Sequence, residues 1–370
     1  MNCNDIIKYL ENWAPKEIAW EKDNTGLQIG SPERRIKNIM LSLDLNENVI
    51  DQAIKKKCNF IFTHHPLLFK PLQRIDTSVN STSLLVEKLI KNDITLYSAH
   101  TNLDFTKDGV SFQLAKKLKL HDINFLTNLS DKQIKLVVFV PEDKLDIVSD
   151  AIHKSGGGIV GEDFNCSYTV AKTSTFKKSD KSNQTVNNKS KHNFVNEIRL
   201  EVLVNKWKLD NVIRAMKLAL SYGDVSYDLY PLKNTDMNYG LGAIGVLSNP
   251  MNKKEFLNHV INCLRIKNFR YSNGTNKKIN VVAVCGGSCS DYLHEALKSG
   301  ADAFITADVK YHSFLEAEGK ILFIDAGHYE TEIHCLDEVH RRLAGLISNK
   351  KSTKVYKYNG SANPIIFYNN

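Results

Sequence analysis

The sequence lacks several features that would assign it to a membrane or secreted class. No stretch of its 370 residues approaches the ~18 consecutive apolar residues that a membrane-crossing helix requires. Lys8 and Glu11 interrupt the first apolar run, so no signal peptide is expected. The seven cysteines are an odd number, and no two are separated by two residues as in zinc ribbons. We therefore predict a cytoplasmic protein with reduced thiols and no membrane partner.

Composition excludes disordered, collagenous and fibrous classes, because 42% of the residues are hydrophobic and 24% are charged, as in folded proteins. The length predicts two or three domains of ~100 to 200 residues. The net charge is +8, but the basic residues are spread along the chain rather than gathered in blocks. Nucleic acid is therefore not the expected partner.

Short runs of Val, Ile and Phe alternate with helix-period segments in the first and last thirds of the chain. This order indicates parallel strands joined by crossover helices. The first third predicts strands at 37–43, 59–63 and 94–99, with helices near 46–57, 81–92 and 109–118. The last third predicts strands at 279–285, 301–306 and 320–325, with helices near 252–264, 290–299, 310–318 and 331–347.

The middle of the chain has a different order. It predicts strands at 134–140, 166–171, 197–204 and 225–232, helices from 141 to about 155 and at 207–221, and an exposed or disordered polar tract at 177–193. This β-α-β-β-α-β order is of ferredoxin-like type. We therefore predict one α/β domain made of residues 1–132 and 240–370, with residues 133–239 inserted as a separate domain.

Two adjacent histidines, His64 and His65, follow a buried-looking strand and precede Pro66. Ligands of α/β sheets gather at this carboxyl end of the strands. Neighbouring residues of a strand point to opposite sides, so both side chains serve one site only where the strand ends or where two metals lie side by side. The alternative is one surface histidine and one structural histidine.

Asp104, in the segment His100-Thr101-Asn102-Leu103-Asp104, also follows a predicted strand. A carboxylate beside imidazoles suits iron, manganese or zinc. The common alternative for an aspartate in this position is a turn or a helix cap.

His328 and Glu332 are four residues apart after the predicted strand 320–325. On a helical turn this spacing places both side chains on one face, as in chelating pairs. The alternative is a helix start whose acidic residues face the helix dipole, which explains the glutamates but not the histidine.

Two further segments are predicted at the same edge of the sheet. Asp308 and His312 follow strand 301–306 and suit outer-shell partners of a metal or acid–base groups. The turn at Gly286 and Gly287 suits either phosphate binding through backbone N–H groups or simple backbone geometry.

Together these motifs resemble the dinuclear-metal-centre hexameric proteins. This family is named after an interacting factor of a yeast transcriptional adaptor (Ngg-interacting-factor-three-like) and is known in bacteria as GTP cyclohydrolase I type 2-like. The resemblance runs almost end to end and is carried by WEKDNTGLQ, THHPLLF, HTNLD, YGLGAIG, the GGS turn, TADVKYH and DAGHYETE. The inserted module, with VFVPEDK, GGGIVGEDFNCSY and SYDLYPL, resembles the PII- or CutA-like insertion of the longer bacterial members.

The resemblance implies a fold, an assembly and a ligand set. The fold is a three-layer α/β metal-binding domain with an inserted ferredoxin-like (PII/CutA-like) α+β domain, and the assembly is a hexameric ring. Asp104 is the implied bridge between two divalent ions, and His100 and His312 are implied to lie near them as candidates for proton transfer. The implied metal ligands are His64, His65, Asp104, His328 and Glu332.

Some positions depart from the family pattern. Ala307 stands where the family has a glycine, and the family's G-S-G turn ends in Cys289 here. In the inserted module, residues 171–176 and 222–226 differ from the family's G-x-G-T-F and H-P-Y-E-E segments, which favours loss of a ligand site there.

Two functions from different classes follow. The first is a metal-dependent hydrolase of the GTP cyclohydrolase I type 2-like kind, acting on a nucleotide or related heterocycle. The alternative is a non-catalytic, metal-dependent regulatory or binding protein that forms a hexameric ring. Single-stranded nucleic acid threading the ring ranks last, because no basic stripe is interleaved with aromatic residues.

Overall fold

The computed structural model describes residues 1–161, 163–176, 193–220, 225–275, 277–350, 352–360 and 363–367. Within these residues, no helix is long and apolar enough to cross a membrane. The predicted polar tract lies outside the described residues as far as residue 192, and a strand begins at Asn193. The chain divides into two compact units, Met1–Asn128 with Tyr239–Asn370, and Leu129–Asn238.

The chain alternates between helices and strands, as a mixed α/β protein does. The helices are α1 (Cys3–Trp13), α2 (Glu47–Lys55), α3 (Ser81–Lys91), α4 (Thr101–Asp104), α5 (Val110–Lys117), α6 (Leu145–Lys154), α7 (Leu209–Leu220), α8 (Lys253–Leu264), α9 (Leu293–Lys298), α10 (Tyr311–Ala317), α11 (His328–Glu332) and α12 (Cys335–Leu346). The strands are β1 (Gly26–Ile29), β2 (Asn38–Ser42), β3 (Cys58–Thr63), β4 (Thr95–Ser98), β5 (His121–Asn124), β6 (Thr127–Ser130), β7 (Gln133–Val140), β8 (Tyr168–Phe176), β9 (Asn193–Asn205), β10 (Tyr227–Leu232), β11 (Thr235–Leu241), β12 (Ala243–Met251), β13 (Arg270–Ser272), β14 (Ile279–Val284), β15 (Ala303–Thr306), β16 (Leu322–Asp325) and β17 (Val355–Lys357). Strands β6 and β11 pair as a two-stranded sheet.

The first sheet has five strands in the order β1-β4-β3-β2-β17. Strands β4, β3, β2 and β17 are parallel, and β1 is antiparallel at the edge. Ile39 and Leu41 of β2 pack into the same core as residues of α1 and α12, whereas Met40 packs with α2 and α3. Both faces of this sheet are therefore covered by helices, which explains the continuous apolar runs of its strands.

The second sheet has six strands in the order β13-β16-β15-β14-β12-β5. Only β14, β15 and β16 are parallel, because β12, β13 and β5 pair antiparallel. Phe256 and Val260 of α8 share a core with Ile305 of β15. Phe304 of β15, the residue before Ile305, stacks on Phe323 of β16, and the two ring centroids are 5.3 Å apart. The sheet is therefore mixed, and its flanking strands were not predicted from the sequence.

All six strands predicted in the first and last thirds are confirmed, but one predicted helix is wrong. The last helix, predicted at 331–347, is two helices, because α11 ends at Glu332 and α12 begins at Cys335. Thr331 Oγ1 donates to the carbonyl oxygens of Gly327 and His328, both at 2.9 Å. A threonine that bonds back to the preceding turn bends a helix, which accounts for the break.

The unit Leu129–Asn238 contains a four-stranded antiparallel sheet in the order β10-β7-β9-β8. Helix α6 follows β7 and helix α7 follows β9, so the chain order is β-α-β-β-α-β, as predicted. Val148 and Ile152 of α6 and Val212 and Met216 of α7 pack on the sheet in one buried core. Two segments of this unit, 171–176 and 222–226, differ from the family pattern. The first lies in β8, and residues 222–224 of the second lie outside the described residues.

Candidate metal centre

His64 and His65 lie where strand β3 ends. The backbone N–H groups of both residues donate to the carbonyl oxygen of Leu43, at 3.1 and 3.0 Å. The ladder therefore stops at Thr63, and the imidazole rings lie 4.9 Å apart between centroids. This break in the strand lets two adjacent residues face one site, which is the geometry that the sequence required.

All five residues of the predicted ligand set are brought together, with Glu332 in the middle. His65 Nε2 lies 3.0 Å from Glu332 Oε2, and His328 Nε2 lies 3.1 Å from Glu332 Oε1. His64 Nε2 lies 3.7 Å from both Glu332 Oε1 and Asp104 Oδ1. His328 and Glu332 share one face of α11, as their spacing predicted.

The residues come from two sheets rather than from one edge, which corrects the sequence-based expectation. His64 and His65 follow β3 of the five-stranded sheet, whereas His328 follows β16 of the six-stranded sheet. His65 Nε2 and His328 Nε2 lie 3.3 Å apart. The carboxyl ends of two sheets therefore meet at this site, and each sheet supplies part of it.

Nδ1 of each imidazole is hydrogen-bonded to an oxygen acceptor. This bond fixes the orientation of the ring, so that Nε2 faces the site. His64 Nδ1 lies 2.8 Å from the carbonyl oxygen of Ala99, which can only accept a hydrogen bond. The proton is therefore on Nδ1, and in the neutral ring Nε2 presents its lone pair to the site. His65 Nδ1 lies 2.8 Å from Asp44 Oδ1 in the same arrangement. Metal-binding histidines are held by such oxygens in many proteins.

Two further imidazoles have the same type of support. His328 Nδ1 lies 2.6 Å from Asp308 Oδ2, and His100 Nδ1 lies 2.8 Å from Asp23 Oδ1. Asp23 also accepts hydrogen bonds from Thr101. Burial raises the pKa of Asp23, but the hydrogen bonds from His100 and Thr101 outweigh it and lower this pKa to about 2. Asp23 is therefore a stable anion behind His100.

The unpaired atoms of the site fit a metal. His64 Nε2 and Asp104 Oδ1 are buried and have no hydrogen-bond partner among the described residues, and Glu332 Oε2 is buried with His65 Nε2 3.0 Å away. An unpaired buried polar atom costs ~1 to 3 kcal/mol, and proteins rarely keep two in one place without a ligand for them. Imidazole nitrogens and carboxylate oxygens are the donors that zinc, iron and manganese take.

Two overlapping clusters within the described residues could each hold a metal ion. One consists of His64, His65 and His100, and the other consists of His65, His328 and Glu332; within each, the ligand atoms lie within 4.8 Å of one another. His100 is therefore closer to the ligand set than the sequence indicated. His312 is exposed and belongs to neither cluster.

Opposite charges control protonation in this site. Burial lowers the pKa of His65 and His328, but Asp44 and Glu332 raise that of His65 to about 10, and Glu332 and Asp308 raise that of His328 to about 9. Burial raises the pKa of Asp104. Burial alone would also raise the pKa of Glu332, but His64 and the neighbouring imidazoles hold it well below its ordinary value. Without a metal, protons on the imidazoles balance the carboxylates.

We expect metal uptake near neutral pH to release about two protons per chain, because the metal displaces the protons of His65 and His328. Metal affinity therefore rises as the pH increases toward 9 to 10. Conversely, the stability that these raised pKa values add to the metal-free protein is present below pH 6.5 and is lost as the pH rises through them. Calorimetric titration with Mn²⁺ in two buffers of different ionisation enthalpy measures the release. Equal heats in both buffers would contradict it.

The glycine turn serves packing rather than phosphate binding. Gly286 N donates to Ser111 Oγ at 3.2 Å, and Gly287 N donates to Thr331 Oγ1 at 3.0 Å, so neither group is free for an anion. Gly287 has φ +70°, and a Cβ at this position would lie 2.2 Å from Glu332 Oε1. The turn is therefore glycine because the Glu332 carboxylate occupies the space of a side chain.

Sequence reasoning missed the roles of Asp44 and Asp23. Asp44 lies two residues after strand β2, in the same relation to its strand as His65 has to β3. Asp23 stands within the WEKDNTGLQ segment that supported the family resemblance. Both positions were therefore visible, but nothing local indicates which histidine each aspartate would contact.

We expect Asp44→Asn to weaken metal affinity about 10- to 100-fold, because the carboxylate that orients His65 and increases its basicity is lost. Equilibrium dialysis against Zn²⁺ with elemental analysis measures the change. The matched control is Asp291→Asn, an exposed aspartate outside the site, which should bind as the wild type does. Equal affinities in all three proteins would exclude a supporting role for Asp44.

The fold and site together define a mixed α/β protein with a site rich in histidine and carboxylate that could hold metal. The chain matches Duf34/NIF3 (NGG1p interacting factor 3) over residues 1–364 and belongs to that family. The resemblance inferred from the motifs is thereby confirmed.

Its relatives match the chain over nearly its whole length. It is 35% identical, over 370 residues and 99% of both chains, to proteins of Halalkalibacterium halodurans and Bacillus subtilis, each named GTP cyclohydrolase 1 type 2 homolog. The solved structure of a Bacillus cereus protein related to NIF3 has a TM-score of 0.85 and 34% identity, covering 100% of this chain and 99% of that one.

Proposed function

We propose that this protein is a dinuclear-metal-dependent hydrolase of the GTP cyclohydrolase I type 2-like kind, acting on a nucleotide or a related heterocycle. The observation that carries the proposal is that His64 Nε2, which is buried and has no hydrogen-bond partner among the described residues, lies 3.7 Å from a carboxylate oxygen of Asp104 and of Glu332. The names of the Bacillus subtilis and Halalkalibacterium halodurans relatives agree with a heterocyclic substrate.

In this proposal His64, His65, Asp104, His328 and Glu332 bind two divalent ions of iron, manganese or zinc, with Asp104 between them. The two clusters overlap at His65, whose one free nitrogen, Nε2, can bind a single ion, so the second ion would be held by the other residues of the set. Bound divalent ions supply Lewis acidity and lower the pKa of water, which is what hydrolysis near neutral pH requires.

Other residues of the site have roles that follow from their contacts. His100, with Nδ1 held by Asp23, can hold or transfer a proton at Nε2 beside His64 and His65. The Phe69 ring is 52% exposed and lies 6.3 Å from the His100 ring, edge to face. An exposed aromatic face beside the ligands offers a flat ring a stacking surface.

The test measures metal content and GTP consumption on the same preparation, reconstituted with Mn²⁺, Fe²⁺ or Zn²⁺. Two metals per chain with a ring-opened product would support the hydrolase and its substrate. Two metals with intact GTP would retain the centre and reject GTP as the substrate. A chain that binds no metal under any of these conditions would refute the proposal.

A second candidate is a non-catalytic, metal-dependent regulatory protein that forms a hexameric ring in the cytoplasm. The β-α-β-β-α-β order of the unit Leu129–Asn238 favours it, because the sequence of that unit resembles PII- or CutA-like regulatory modules. Light scattering should then show six copies of the 41.9 kDa chain. Metal-dependent assembly without turnover of any nucleotide tested would favour this candidate over the hydrolase.

A further inference from the structure

A cavity of about 550 Å³ lies at the amino ends of three neighbouring parallel strands, β3, β2 and β17. Its walls include Lys57, which precedes β3, Lys37, which precedes β2, and Ser352 and Thr353, which precede β17. The candidate metal centre lies at the carboxyl ends of the same sheet. Strand β2, about 16 Å long, therefore separates two distinct sites.

The charge of this cavity has one sign. Arg35, Lys37, Lys57 and Lys350 line it, and no described residue in its walls is an aspartate or a glutamate. Across the described part of the chain, none of these four side chains makes an ion pair. The cavity is thus a concentrated positive site.

Two basic residues next to the cavity do have partners. Arg34 pairs with Asp93 at 2.9 Å. The ammonium group of Lys56 lies 5.3 Å from the centre of the Tyr356 ring. Arg34 and Lys56 are therefore stabilised by partners of their own, whereas the four cations that line the cavity have no ion pair.

Like charges in one concave site repel, and an anion in the cavity converts this repulsion into attraction. A volume of about 550 Å³ lies within the range of small-molecule sites. The hydroxyl groups of Ser352 and Thr353 add neutral hydrogen-bond donors to the same walls. Both the size and the donor set fit a compact, highly charged ligand.

We infer that this cavity binds the oligophosphate group of a small molecule, that is, a di- or triphosphate. Four cations carry more positive charge than one phosphate neutralises, so a ligand with several negative charges balances them best. No aromatic side chain lines the cavity, so stacking on a base contributes nothing to recognition there. This absence, together with the small volume of the cavity, favours a small oligophosphate over a nucleic acid strand.

The experiment titrates the full-length protein with inorganic triphosphate by calorimetry. The test variant is Lys37→Gln/Lys350→Gln, and the control variant is Lys298→Gln/Lys320→Gln, which removes two exposed lysines of the same unit outside the cavity. We expect one saturable site per chain, about tenfold or more weaker in the test variant and unchanged in the control. Higher ionic strength should weaken binding, because the cavity is open to solvent.

Four results would overturn the inference. The first is no saturable binding of triphosphate, and the second is an equal loss in both double variants. The third is binding that Glu332→Gln abolishes while Lys37→Gln/Lys350→Gln keeps it, which would assign the anion to the metal centre. A single-stranded oligonucleotide that binds more tightly than triphosphate through Lys37 and Lys350 would show that the occupant is nucleic acid, and would also refute the proposal.

Discussion

Glu332→Gln is expected to remove most of the bound metal while the protein remains folded. Among the residues that the structure describes, Glu332 is the one whose carboxylate lies within 4 Å of three imidazoles of the site, those of His64, His65 and His328. Glutamine keeps the shape of the glutamate side chain but lacks its negative charge. The loss of affinity should exceed the ~10- to 100-fold that removal of an outer-shell partner causes. Elemental analysis after gel filtration measures it.

The matched control is Glu330→Gln on the same helix, whose carboxylate accepts a hydrogen bond from Asn363 instead of facing the imidazoles. It should retain wild-type metal content. His65→Ala should behave like Glu332→Gln, and both should keep their oligomeric state, because these residues lie at the ends of a strand and a helix. Intact metal content in His65→Ala and Glu332→Gln would exclude the ligand set.

Gly287→Ala is expected to reduce metal binding without unfolding the protein. The added Cβ would lie 2.2 Å from Glu332 Oε1, which is the end of a flexible side chain. The carboxylate can therefore move away, and this movement takes it out of the ligand set. The positive φ of +70° adds ~1 to 2 kcal/mol of backbone strain.

Gly319→Ala is the control that separates the effect of backbone strain from the effect of displacing the Glu332 carboxylate. Gly319 has φ +74°, and a Cβ there meets no atom within 4 Å. Urea unfolding should show a similar loss of stability in Gly287→Ala and Gly319→Ala, whereas elemental analysis should show loss of metal in Gly287→Ala alone. If both variants keep their metal, the close contact between Gly287 and Glu332 has no role in holding the carboxylate.

Patterns within short segments were read correctly from the sequence. Apolar runs located strands β2, β3 and β4 to within a residue or two, because buried parallel strands need such runs on both faces. The four-residue spacing of His328 and Glu332 predicted their shared helix face. Strand β12 and the edge strand β13 were not found, since partly exposed strands lack a continuous apolar run.

The sequence by itself therefore determined the family, the strand ends that carry the ligands, and the residue types of the site. Only the tertiary structure decided that two sheets meet there, that Asp44 and Asp23 hold His65 and His100, and that Arg35, Lys37, Lys57 and Lys350 share one cavity. The pattern of apolar residues within one segment indicates which of its side chains are buried, because side-chain periodicity depends only on residues that are near in the sequence. Contacts between residues far apart in the chain, such as Asn38 and Lys354, which are 316 positions apart, depend on how the sheets are arranged, and no local pattern encodes that.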